Sequence, residues 1–192
     1  MNKILYLHGF NSSPDSRKAR VMHDYMKRAG LPDRIDIPEI PHAPADAIEL
    51  LQQYAEEITR QYSLSLVGSS LGGFYATWLA EKYSCPAVLI NPAVKPHELL
   101  KKHLGENINY YTAERWMLNE VHIRKFRELY IDKVSNPQRY LLMLQTGDET
   151  LDYREALEKY STSPSIVEQG GSHEFSEFEN HLDKILDFCN VT

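Results

Sequence analysis

Cysteine is scarce in this 192-residue chain: Cys85 and Cys189 are the only two, 104 residues apart and with no Cys-x-x-Cys pairing. That spacing excludes a disulfide framework and reads as two reduced, buried thiols of a cytosolic protein. Long apolar runs are also missing. The longest, Tyr140 to Leu144, has five residues, far short of the roughly 20 that a membrane span needs. The opening stretch after Met1 is too short for a secretory signal core and has no small-residue cleavage site after it. Basic residues are outnumbered, 21 against 27 acidic, for a net charge of −6, which argues against a nucleic-acid or anionic-membrane surface. There is no Walker phosphate loop, no dinucleotide-binding glycine fingerprint and no His-Glu-x-x-His, so no cofactor or metal is expected. Internal repeats and low-complexity tracts are absent too.

What remains is an ordinary globular composition, 42% hydrophobic and 25% charged, in a length that suits one core. Short apolar runs at 3–7, 65–67, 87–90, 140–144 and 165–167 read as buried strands, with a weaker one near 34–37. Helical patterns lie between them. Ser13-Pro14 has the form of an N-cap followed by proline at the first helical position, with Gly30 and Pro32 as the stop. Ile48, Leu51, Ala55, Ile58 and Tyr62 are spaced for one face of a helix over 45–62. Leu71, Tyr75, Trp78 and Leu79 form a second stripe, and further helices fit 152–160 and 174–189. Strands alternating with helices predict a parallel sheet covered on both faces. Residues 94–138 carry helix-like patterns without an evident strand, so they read as a helical cap inserted in a single domain, 1–192.

Gly68-Ser69-Ser70-Leu71-Gly72 fits G-x-S-x-G, with a strand before it and a helix after it. Such a turn thrusts its central serine off the sheet edge, and flanking side chains larger than glycine would collide there. The pattern selects Ser70 as nucleophile and leaves Ser69 in the variable position. A hydroxyl needs a base within reach. Among eight histidines, His173 stands out: it follows the last strand and two glycines, in Gly170-Gly171-Ser172-His173, just before the final helix. The base needs an acid to fix its tautomer, and Asp148 in Gln145-Thr146-Gly147-Asp148-Glu149 is the first carboxylate past the strand. Glu149 and Asp152 compete, although Asp152 also suits a helix N-cap. The order Ser70, Asp148, His173 is that of α/β-hydrolases. Donors for the oxyanion are expected from the amide of Leu71, at a helix N-terminus, and of Phe10, after the His8-Gly9 turn. His8 itself reads as a residue that bonds this loop.

Together with Tyr6-Leu7-His8-Gly9-Phe10-Asn11-Ser12-Ser13-Pro14 and Asn91-Pro92-Ala93-Val94, these blocks span nearly the whole chain. They resemble the small bacterial YqiA-type esterases of the α/β-hydrolase superfamily. The resemblance implies a serine esterase acting on a small-molecule carboxylic ester or acyl thioester. The chain departs from the wider superfamily in size: its first strand leads straight into the oxyanion loop, so the leading antiparallel strands are missing, which predicts a compact three-layer fold with about six mainly parallel strands. A non-catalytic binding module on the same fold is the competing reading. Lys95, His97, Lys101, Lys102 and His103 suit either an anionic substrate or a solvated helix face. Tyr110, Tyr111, Trp116 and Met117 suit an acyl pocket, packing of the cap onto the body, or a homodimer contact.

Overall fold

The computed structural model describes residues 1–191; Thr192, the last residue of the expected domain, lies outside them. Fifteen helices and strands follow one another: β1 (Asn2–Leu7), α1 (Arg17–Arg28), β2 (Ile35–Asp36), α2 (Pro44–Thr59), β3 (Ser63–Ser69), α3 (Leu71–Tyr83), β4 (Ala87–Ile90), α4 (Pro96–Leu99), β5 (Gly105–Ile108), β6 (Arg115–Leu118), α5 (Glu120–Glu128), β7 (Tyr140–Gln145), α6 (Tyr153–Lys159), β8 (Ser165–Glu168) and α7 (Leu182–Phe188), with short 3₁₀ turns between some of them. Six strands form one sheet in the order β2-β1-β3-β4-β7-β8. Every pairing in it is parallel.

Side chains on successive strand residues point to opposite faces, and each face buries its own helices. Leu5, Leu7, Leu66, Leu89, Leu142 and Leu144 pack with residues of α2, α3, α5 and α6. Ile4, Tyr6, Val67, Val88, Leu141 and Met143 pack with α1 and α7. The result is the three-layer arrangement. In α2, Ile48, Leu51, Ala55 and Ile58 are the buried stripe, as their spacing predicts. Both cysteines are free and buried, and burial pushes the Cys85 thiol up to about 12.

Three local expectations are corrected. The first helix starts at Arg17 and its N-cap is Ser16. Ser13 instead opens a tight turn, accepting from the Asp15 amide on its hydroxyl and from the Ser16 amide on its carbonyl. Proline suits the second position of such a turn as well as it suits a helix start. The expected helix over 174–189 begins only with the 3₁₀ turn at Phe178. Phe175 and Glu177 adopt left-handed φ of 59° and 57°, and both Phe175 and Phe178 are completely buried. Anchoring two aromatic rings outweighs continuing the helix.

The third correction concerns 94–138, which is not purely helical. β5 and β6 pair antiparallel, Gly105 opposite Leu118 and Ile108 opposite Arg115. Asn109 shapes their connection by accepting from the Tyr111 and Thr112 amides. Two four-residue strands with one buried residue each, Asn107 and Leu118, leave too weak an alternation to read from sequence.

Candidate active site

β3 runs into α3 through Ser70, whose φ of 55° and ψ of −120° lie far from ordinary backbone for a residue with a side chain. Such a conformation costs about 1–3 kcal/mol and survives only where neighbours enforce it. Here they do. The Ser70 amide donates to the Ile90 carbonyl, and the Ser70 carbonyl accepts from the Gly73 and Ala93 amides. Gly72 makes the turn feasible, since a Cβ there would lie 2.0 Å from the Leu7 carbonyl oxygen. The loop after β1 crosses directly over the serine: a Cβ on Gly9 would sit 3.2 Å from that of Ser70.

Two further strand ends converge on Ser70. Its Oγ lies 3.1 Å from His173 Nε2. On the other side of the ring, Nδ1 lies 2.8 Å from Asp148 Oδ2. Asp148 Oδ1 accepts from the amides of Thr150 and Leu151, each at 2.8 Å. Burial pushes the Asp148 carboxyl up, but the His173 hydrogen bond and those amides outweigh it and hold the group below its ordinary value. Asp148 is therefore a carboxylate at neutral pH, and His173 carries its Nδ1 proton toward it.

The competing carboxylates sit elsewhere. Glu149 Oε2 accepts from the His173 backbone amide at 3.0 Å, and that bond lowers its pKa. Asp152 caps α6 by accepting from the Arg154 amide. His8 is held in the loop, with Nε2 accepting from the Ile40 amide and Nδ1 donating to the Gly9 carbonyl. Burial lowers its pKa to about 4, against the opposing Gly9 bond, so the ring is neutral.

Leu71 is the first residue of α3, where a helix leaves its amide without a partner. Phe10 stands on the wall of a cavity of about 500 Å³ that opens over Ser70 and His173. That size suits a small organic molecule. Tyr110, Tyr111, Lys102 and His103 line it. Trp116 and Met117 instead line a separate cleft beside His42. There Trp116 stacks on the His42 ring at 4.7 Å and 4°. His97 is buried against Tyr130. Among the described residues no cluster of three or more His, Cys, Asp or Glu could hold a metal ion, and no helix is long and apolar enough to cross a membrane.

The groups that hold the histidine loop leave little mark in the sequence. Asn91, at φ 38° past β4, donates to the carbonyls of Ser172 and His173 and accepts from the Gln145 amide. Gln145 is 3% exposed and uses both ends of its amide. Oε1 accepts from the Ser172 and Ser176 amides, and Nε2 donates to Glu168 and to the Ser176 carbonyl. The available signal was a polar residue ending each of two apolar strands.

The chain matches the Uncharacterised protein family UPF0227 over residues 3–190. A UPF0227 protein of Shewanella sp. (strain ANA-3) is 26% identical over 195 residues, covering 96% of this chain and 98% of that protein. Among solved structures, mouse alpha/beta hydrolase domain-containing protein 10 superposes with a TM-score of 0.71 at 16% identity, over 96% of this chain and 89% of that one. Est1E from Butyrivibrio proteoclasticus, bound to ferulic acid, gives 0.71 at 13% identity, over 98% and 88%. At such identities the likeness shows the fold: six mostly parallel strands with helices on both faces, as in α/β-hydrolases.

Proposed function

The chain belongs to the UPF0227 family, and from that starting point we propose that it is a serine hydrolase cleaving carboxylic esters or acyl thioesters through Ser70, His173 and Asp148. One observation carries the reading: the unbroken line from Ser70 Oγ through both ring nitrogens of His173 to Asp148, at 3.1 and 2.8 Å. An isolated structural histidine has no need of a strained serine on one nitrogen and a buried carboxylate on the other.

In the first half-reaction His173 Nε2 takes the Ser70 proton as Oγ attacks the carbonyl carbon. The tetrahedral oxyanion is met by the amides of Leu71 and Phe10. Asp148 stabilises the imidazolium without becoming protonated. As the intermediate collapses, Nε2 returns the proton to the leaving alcohol or thiol, and the acyl group stays on Ser70. Water, deprotonated by the same nitrogen, then releases the acid. The likeness to Est1E, and to an esterase domain from Rhodothermus marinus, supports this chemistry class.

The test uses a fluorophosphonate probe and a chromogenic short-chain ester on wild type and Ser70→Ala. Labelling at Ser70, with turnover lowered by several orders of magnitude in a folded variant, is the expected result. A label on Ser69, or undiminished turnover in Ser70→Ala, overturns the reading.

A further inference from the structure

The proposed chemistry leaves one part of the cavity unused. Lys18, in the first turn of α1, is 5% exposed and lines the cavity wall. Its Nζ donates to the Glu174 carbonyl at 3.0 Å and to Glu174 Oε2 at 3.1 Å. A lysine ammonium has three donors, so one remains. The Glu174 side chain is 64% exposed and is free to swing into water. Beside Lys18 on the cavity wall lie Tyr6 and Ser16. Tyr6 is fully buried. Burial, then the charge of Glu174, raises its pKa, so it stays a neutral donor.

Packing does not account for this arrangement. Burying an ammonium is costly unless it is paired, and the carboxylate that Lys18 bonds is mostly in solvent. A methionine would fill the same space without that cost. The Tyr6 hydroxyl on the same wall adds a second donor.

We propose that Lys18 and the Tyr6 hydroxyl form an anion subsite, so that the natural substrate is an ester or thioester bearing a carboxylate or similar anionic group, which displaces the Glu174 side chain from Lys18. The inference rests on the hydrolase reading for its substrate, and it assigns Lys18 and Tyr6 to specificity.

The experiment compares two esters that differ in one group: the mono-4-nitrophenyl ester of glutarate and its uncharged terminal amide. A second pair, butyrate esters of 3-hydroxybenzoate and of its amide, carries the charge on the leaving side. In wild type, kcat/KM should favour the anionic member of one pair by about 10- to 100-fold, the range for a hydrogen bond to a charged group. Lys18→Met should bring that ratio close to one and Tyr6→Phe should lower it. Glu174→Gln, which removes the competing carboxylate, should raise it. No preference in either pair, or a Lys18→Met variant that loses both members equally, overturns the subsite. If no ester is cleaved, the hydrolase reading fails on its own. Calorimetric titration of glutarate into Ser70→Ala and into Ser70→Ala/Lys18→Met then decides the subsite: about tenfold weaker binding in the double variant supports it, and equal binding overturns it.

Discussion

Asp148 and Glu149 are adjacent in sequence and grip the same histidine at different places, one by its ring and one by its backbone amide. Only the ring contact bears on the tautomer. Asp148→Asn should therefore cost about 10³ to 10⁴ in kcat, whereas Glu149→Gln, which keeps an acceptor for the amide, should stay within about tenfold of wild type. Equal losses at matched stability would remove Asp148 from the proposed machinery. His8 gives a second residue-scale expectation. Its folded pKa, about 4, lies below the ordinary 6.5, so between those values the unfolded chain binds a proton that the folded chain refuses. Stability is then lost as pH falls through that window. From His8 alone the protein should be about 2 kcal/mol less stable at pH 5 than at pH 7. His8→Gln offers an uncharged acceptor to the Ile40 amide, and urea unfolding at both pH values should show that difference shrink. His8, Ser70, Asp148 and His173 were legible because each follows a strand end in a distinctive local pattern. Asn91 and Lys18 were not, since their meaning lies in partners 81 and 156 residues away.

The hairpin β5–β6 is the element that sequence concealed, and it touches the site through a loop. Trp116 Nε1 donates to Asn11 Oδ1, the Asn109 side chain donates to the Ser12 carbonyl, and the Tyr110 amide donates to the Asn11 carbonyl. Asn11 itself sits at a left-handed φ of 51°, immediately after Phe10. The Phe10 ring meets Trp116 edge-on at 5.5 Å. The hairpin thus clamps the loop that is proposed to supply an oxyanion donor. Trp116→Phe removes one hydrogen bond of the clamp while keeping an aromatic ring against Phe10 and His42. Steady-state kinetics on an uncharged ester should show kcat about fivefold lower with KM little changed, the size of one neutral hydrogen bond. An unchanged kcat in the folded variant would mean that the hairpin does not position the loop. Fully buried strands such as β7 were easy to read because burial on both faces demands an unbroken apolar run. β5 and β6 bury only one face, and their polarity is mixed: Asn107 lies on the buried side while apolar Ile108 and Met117 lie together on the exposed one, so neither a run nor a clean alternation marks them.

Across the whole molecule, strand identity could be read from the short apolar runs, and the two covered faces from the helical patterns between them. Strand order could not, because it depends on pairings between distant segments. Tyr6 lies opposite Val67 and Leu89 opposite Leu142, and nothing in either member of a pair announces its partner. That sheet order has a temporal side. β1, β3 and β4, with the turn that presents Ser70, are contained in the first 90 residues. The seam between β4 and β7 waits for the segment beyond the insertion, and His173 follows Ser70 by 103 residues. At typical translation speeds of about 5–20 residues per second, the ribosome makes the serine roughly 5 to 20 seconds before the histidine that would activate it. Under the proposed chemistry, the nascent chain therefore carries Ser70 unarmed until the segment from Asp148 to His173 has been made.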